Sequence, residues 1–89
     1  MAKSIHTTAY KKIISLLRSK RENANITQKQ LADSLGVNQA VISKIEICER
    51  RVDIVELKSI CDKINVDFIE FCTESLKIIE TYNEKHSNQ

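Results

Sequence analysis

The stretch TQKQLADSLGVNQAVISKIE, residues 27–46, decides the fold, because apolar residues recur at helical spacing on both sides of a single glycine. Leu31 and Leu35 lie one helical turn apart before the glycine, and the same spacing recurs after it. Gly36 is the only glycine of the chain, and it stands where a tight bend needs a residue that adopts positive φ. The pattern predicts two short amphipathic helices joined by a tight turn, which is the helix-turn-helix arrangement.

Residues that cap helices mark the start of each predicted helix. The spacing of a capping box, in which a cap is followed three positions later by Glu or Gln, occurs at Thr27 with Gln30, Asp53 with Glu56, and Asp67 with Glu70. Asn38 can cap the helix after the glycine, and Thr7 or Thr8 can cap a first helix. The sequence therefore predicts five helices, with Asn25 and Asn65 as left-handed helix stops.

The composition is that of one small helical domain. The chain has 89 residues, no proline and one glycine, so we expect a single all-α domain over residues 1–89 with a core of about residues 8–82. No segment approaches the run of about 18–20 apolar residues that a membrane span needs, and no signal-peptide pattern opens the chain. We therefore expect a cytoplasmic protein without membrane association.

The cysteines and histidines give no sign of metal or catalytic chemistry. Cys48, Cys61 and Cys72 are widely spaced and form no C-x-x-C or Cys/His motif, so we expect no metal ion and no cofactor. His6 and His86 lie near the two ends, with no nucleophile or carboxylate at catalytic spacing. The chain is therefore not expected to be an enzyme.

Charge is distributed unevenly along the chain. Residues 1–51 carry a balance of +6, whereas residues 52–89 carry a balance of −4. A basic half attracts a polyanion and an acidic half is repelled by it. The uneven charge therefore favours a nucleic-acid partner that meets the half containing the helix-turn-helix.

The motif residues also resemble a known family. They are Thr27-Gln28, Leu31-Ala32, Gly36-Val37, Gln39, Ile42-Ser43 and Glu46. This pattern resembles the phage-repressor and Cro-type, or xenobiotic-response-element-like, helix-turn-helix family over roughly residues 13–71. The sequence departs from the family at Cys48, where glycine is common, and at Val52, where proline is common.

The resemblance implies a compact five-helix, repressor-like DNA-binding domain. It also implies a sequence-specific transcriptional regulator, most simply a repressor that binds a palindromic operator in double-stranded DNA as a homodimer. The recognition helix would span residues 38–46, and the exposed positions of its first turns would reach the base edges. These predicted base contacts are Gln39, Ala40, Ser43 and Lys44.

Contacts to the DNA backbone are predicted from neighbouring residues. The candidates for phosphate contacts are Gln28, Lys29, Asn38, Arg50 and Arg51. By the resemblance, Gln28 also braces Gln39, and Arg21 forms a structural pair with Glu46 across the fold.

The fifth predicted helix carries more apolar surface than one core contact needs. One stripe consists of Phe68, Ile69, Cys72, Leu76 and Ile79. A second consists of Phe71, Ile78 and Tyr82, and we expect it to form the homodimer interface. Packing of this second face against the amino-terminal residues is the alternative.

A protein-binding module is the other functional hypothesis. In this alternative the chain is an antitoxin, or another module whose main partner is a protein and whose DNA binding serves autoregulation. The broad apolar face of the fifth helix is compatible with such a partner. The sequence does not distinguish phage, plasmid, restriction-controller and antitoxin settings.

Overall fold

Five helices form the regular structure of the described residues. The computed structural model describes the backbone of residues 7–86 and the side chains of residues 7–82. The helices are α1 Thr8–Asn23, α2 Gln28–Leu35, α3 Gln39–Glu46, α4 Ile54–Lys63 and α5 Phe68–His86. The predicted all-α, five-helix architecture with a helix-turn-helix is therefore confirmed, whereas His6 lies outside the described residues.

The predicted caps begin the helices. The Thr7 hydroxyl accepts a hydrogen bond from the Tyr10 amide, and Thr27 and Gln30 form a complete capping box. Asn38 accepts from the amide of Ala40 at 3.1 Å. The starts of α4 and α5 use the predicted aspartate caps in the same way.

Left-handed residues end the helices or turn the chain. Gly36 has φ of 70° after α2, and Asn25 and Asn65 have φ of 60° at the other predicted stops. Cys48 also has φ of 60°, in the loop where the resembling family often has glycine. The sequence therefore departs from glycine at a position whose backbone favours it.

The core lies where the helices meet. Helix α2 packs on α3 and α4, and α1 packs on α3 and α5. The fully buried apolar side chains are Ile14, Leu17, Leu31, Ala32, Ile42, Ile45, Ile60, Cys61, Ile64 and Phe71. Cys61 is thus a core residue, and Cys72 is half-buried.

The division of α5 into a core stripe and an interface stripe is only partly correct. Phe71 is 0% exposed and belongs to the core of the protomer, so its prediction as a dimer-interface residue is wrong. Ile69 and Leu76, placed on the core stripe, are 71% and 53% exposed. The buried stripe passes through Ser75, and this polar residue made the core face look less apolar than the exposed one. The alternative cover for α5, residues 1–6, lies outside the described residues.

Candidate nucleic-acid interface

Helix α3 presents a polar face on a buried apolar mount. Ile42 and Ile45 anchor its inner side and are 1% and 2% exposed. On the outer side Gln39, Ala40 and Lys44 are exposed, and Ser43 is half-buried. The four predicted base-contact residues therefore lie together on α3, and three of them are exposed to solvent.

The described helices include none long and apolar enough to span a membrane.

The turn before α3 fixes the direction of this face. Gly36 and Val37 donate backbone hydrogen bonds to Asp33 and Ala32, which closes the end of α2. Asn38, which is exposed, caps the start of α3 with its side-chain oxygen. The predicted role of Asn38 as a cap is thus observed.

Glu46 holds α3 to the rest of the molecule from its other end. Arg21 Nε donates to Glu46 Oε2 at 2.7 Å, and Arg21 Nη2 donates to Oε1 at 2.9 Å. These side chains are only 8% and 4% exposed. The hydrogen bond that Arg21 donates to Glu46 is the main cause that raises the pKa of Arg21. Arg21 also donates to the Ile26 carbonyl at 2.7 Å, so one guanidinium joins α1, the following turn and α3.

Gln28 belongs to the same cluster. Its amide nitrogen donates to Glu46 Oε1 at 2.9 Å, so the side chain braces Glu46 rather than Gln39 as the resemblance implied. Arg18 Nε lies 3.9 Å from Glu46 Oε1 and was not singled out from the sequence. The sequence signal that could have identified Arg18 is its position one helical turn before Arg21 on α1.

The predicted phosphate-binding cations differ in how they are engaged. Arg50 Nη2 lies 2.7 Å from Glu56 Oε2, and their hydrogen bond raises the pKa of Arg50 and lowers that of Glu56. Lys29 Nζ lies 3.3 Å from Asp33. Arg51 is exposed and forms no ion pair with any side chain described. Both arginines are predicted phosphate contacts, but of the two only Arg50 forms an ion pair with a described side chain.

Tyr10 fastens the loop that carries these arginines. Its hydroxyl oxygen accepts a hydrogen bond from the backbone amide of Val52 at 3.1 Å, which joins α1 to the residue after Arg51. None of the sequence motifs points to Tyr10. The available signal was its spacing from Ile13 and Ile14, which places the ring on the inner side of α1.

Among the side chains that the structure describes, residues 7–82, there is no cluster of His, Cys, Asp and Glu that could hold a metal ion. The polar face and its supports instead match what a DNA-binding helix requires. No curated protein and no solved structure matches the chain with significant similarity. A family model described as helix-turn-helix matches residues 17–71, from the middle of α1 into α5. The chain therefore belongs to the Cro/C1-type helix-turn-helix family of DNA-binding transcriptional regulators.

Proposed function

We propose that this protein is a sequence-specific transcriptional repressor that binds a palindromic operator as a homodimer. The observation that carries the proposal is the exposed polar face of α3, held at one end by the Asn38 cap and at the other by buried Glu46. A recognition helix needs both features, because base readout requires side chains whose direction is fixed before binding.

Base readout is assigned to the outer side of α3. The Gln39 amide can form a bidentate pair with adenine, and the Lys44 ammonium can donate to the acceptors of guanine. The methyl group of Ala40 suits contact with a thymine methyl. Ser43 is half-buried, so its hydroxyl is left for a contact at the edge of the groove.

Phosphate binding is assigned to the residues around this helix. Arg51 and Lys29 supply charge, while Asn38 and Gln28 supply amide donors. The Gln28 nitrogen carries two hydrogens, so its bond to Glu46 leaves the second for a phosphate oxygen. Arg50 can join them only by sharing its guanidinium with Glu56.

Repression follows from occupancy of DNA. Two copies related by a two-fold axis would place their recognition helices in successive major grooves, with half-sites about 10 bp apart. An operator that overlaps a promoter would then be blocked by the dimer itself. The same proposal places the protein with the DNA in the cytoplasm of a prokaryote.

Selection from random DNA duplexes with Gln39→Ala and Arg51→Ala tests these assignments. Gln39→Ala should relax preference at one base position by about 1–3 kcal/mol. Arg51→Ala should weaken all duplexes alike and reduce the slope of log K against log salt by about 1.

The matched control is Lys58→Ala, which removes an exposed cation from α4. It should change neither base preference nor salt slope. If Gln39→Ala and Arg51→Ala gave the same profile, the division between reading and anchoring residues would be wrong. If the wild type selected no duplex, the proposed function would fail as a whole.

A further inference from the structure

One groove on the side of the molecule is lined by nine side chains, none of them charged. It has a volume of about 350 Å³ and lies between α1, α4, α5 and the residue that precedes Asp53. Its walls include Tyr10, Ile13, Val52, Leu57, Leu76 and Ile79. Charge is depleted at the centres of protein interfaces, and this groove has that character.

An apolar ridge runs beside the groove. Ile69, Leu76 and Ile79 project from α5 and are 71%, 53% and 38% exposed. Their spacing places them along one side of the helix, and the last two also form one wall of the groove. Ridge and groove are therefore adjacent on one surface.

A buried hydroxyl without a partner lies in the same groove. Ser75 Oγ is the one buried side-chain polar atom among the described residues that has no hydrogen-bond partner, and Ser75 is 8% exposed. Buried polar groups are normally paired, because leaving one unpaired is unfavourable. Ser75 therefore shows that the floor of the groove is closed to solvent.

We propose that the groove receives the α5 ridge of a second copy of this chain, and that Tyr10 links this contact to the loop carrying Arg51. The inference rests on the proposed homodimer and names its surface. A two-fold contact uses the same patch on both copies, so a patch must be complementary to itself. A ridge beside a groove meets this condition, because rotation places each ridge in the opposite groove.

The other groove along α5 is a poorer seat for a second copy. It is lined by Ile78 and Tyr82, the remaining residues predicted for the interface, together with Thr81 and the charged Lys12 and Lys77. A two-fold contact there would bring four ammonium groups together, and juxtaposed like charges disfavour association.

The position of the apolar groove leaves the DNA-facing helix open. Helix α3 packs on α1 and α2 and makes no contact with α5 within the described residues. Recognition helices in such dimers lie about 34 Å apart, so each is about 17 Å from the axis. The two shorter dimensions of the protomer are 25 and 20 Å, which accommodates this spacing.

Tyr10 and Val52 belong to both the groove and the phosphate-facing loop. Both side chains line the groove, and the Tyr10 hydroxyl accepts from the amide of Val52 at 3.1 Å. Arg51 is the next residue toward α3. A copy seated in the groove would therefore restrain the backbone beside Arg51, so dimer formation and phosphate binding would strengthen each other.

The oligomeric state of the full chain, measured by sedimentation equilibrium, tests the surface. Leu76→Glu should raise the dimer dissociation constant about 100-fold or more, since each interface would bury unpaired carboxylates. Val55→Glu is the matched control, because Val55 is 73% exposed but lines a different groove on α4. It should leave the dimer intact.

Urea unfolding must show that both variants remain folded. A folded Leu76→Glu that stays dimeric would overturn the assignment of the groove. If the wild type nevertheless selects an operator, the proposed function is retained and only the assignment of this dimer surface is refuted. A wild-type protein that binds its operator as a single copy would overturn the homodimer as well.

Tyr10→Phe tests the link, because it keeps the ring in the groove and removes the acceptor for Val52. We expect DNA affinity to fall about 2- to 10-fold for all duplexes, with the dimer dissociation constant unchanged. In the Tyr10→Phe background, Arg51→Ala should then reduce DNA affinity by less than it does in the wild type. A general loss of stability would not produce this coupling. Strict additivity of the two substitutions would refute the link.

Discussion

Replacing Glu46 by alanine should destabilise the fold far more than the loss of an ordinary ion pair. The Glu46 side chain is 4% exposed, and its carboxylate accepts two hydrogen bonds from Arg21 and one from Gln28. Its removal leaves the guanidinium of Arg21, whose side chain is 8% exposed, without its counter-charge. A buried charge that loses its partner typically costs about 3–5 kcal/mol.

That magnitude is a large part of the total stability of so small a domain. At about 0.05–0.15 kcal/mol per residue, 89 residues give a free energy of unfolding of roughly 4–13 kcal/mol. Because each kcal/mol corresponds to about 4–8 °C in a domain of this size, Glu46→Ala should lower Tm by about 12 °C or more.

Urea unfolding followed by circular dichroism measures this effect, and a second ion pair provides the control. Lys58 and Asp62 are 2.6 Å apart but 52% and 55% exposed, so Asp62→Ala should cost less than about 1 kcal/mol. Glu46→Gln keeps the shape but also removes the counter-charge of Arg21, so it should likewise cost about 3–5 kcal/mol. If Glu46→Ala lost no more than Asp62→Ala, the buried pair would not be what holds α3.

A double variant separates stability from DNA binding. Arg21→Met combined with Glu46→Leu replaces the pair by apolar groups, and such replacements are often neutral or stabilising. Gln28 then lacks its acceptor, so DNA affinity should fall although the fold survives. Base preference should be unchanged in every folded variant of this set, because Glu46 lies behind the reading face; altered preference at wild-type stability would contradict this structural role.

Three further predictions concern single sites. Gly36→Ala should cost about 1–2 kcal/mol by thermal unfolding, because φ is 70° while no atom lies within 4 Å of the added methyl group; a loss well above 3 kcal/mol would contradict this. Arg50 lowers the pKa of Glu56. The stabilisation of the fold by their ion pair is therefore present above the unfolded pKa of about 4.3 and is lost as pH falls through the folded pKa of Glu56. Between about pH 6 and pH 3 the free energy of unfolding of the wild type should therefore fall by up to about 1 kcal/mol more than that of Glu56→Gln. Equal decreases in the two proteins would refute this prediction. Burial raises the pKa of Cys61 to about 11, so this thiol should stay unlabelled by maleimide near pH 8 until urea is added, and rapid labelling of folded protein would contradict its burial.

Local signals were sufficient to predict the helices. A cap is defined by residues three positions apart, and a left-handed stop by a single Asn or Gly, so both can be found without knowing the fold. Thr27 with Gln30 and the turn at Gly36 are examples. The exposed positions of α3 followed equally from helical spacing once its buried side was known.

Contacts between distant elements could not be predicted in this way. Arg50 and Arg51 are adjacent and chemically identical, yet only Arg50 pairs with Glu56. The choice depends on how the loop meets α4, which helical spacing does not describe. On α5, apolarity alone misplaced Phe71 and Ile69, because the protomer core accepts Ser75 while Ile69 is left in solvent.

The same long-range contacts support the proposal that the loop before α4 binds DNA. Glu56 closes the capping box with Asp53 and also holds Arg50, while the Tyr10 hydroxyl holds the amide of Val52. The backbone on both sides of Arg51 is therefore fixed before DNA arrives. A preformed loop loses less conformational entropy on binding than a mobile one, so in the proposed complex residues that make no DNA contact would add to the affinity contributed by Arg51. On this reasoning the placement of the positive charge matters more than the charge alone. Arg51→Lys, which keeps the charge, should bind DNA better than Arg51→Ala in the wild-type background, and this margin should shrink when Tyr10 is replaced by phenylalanine.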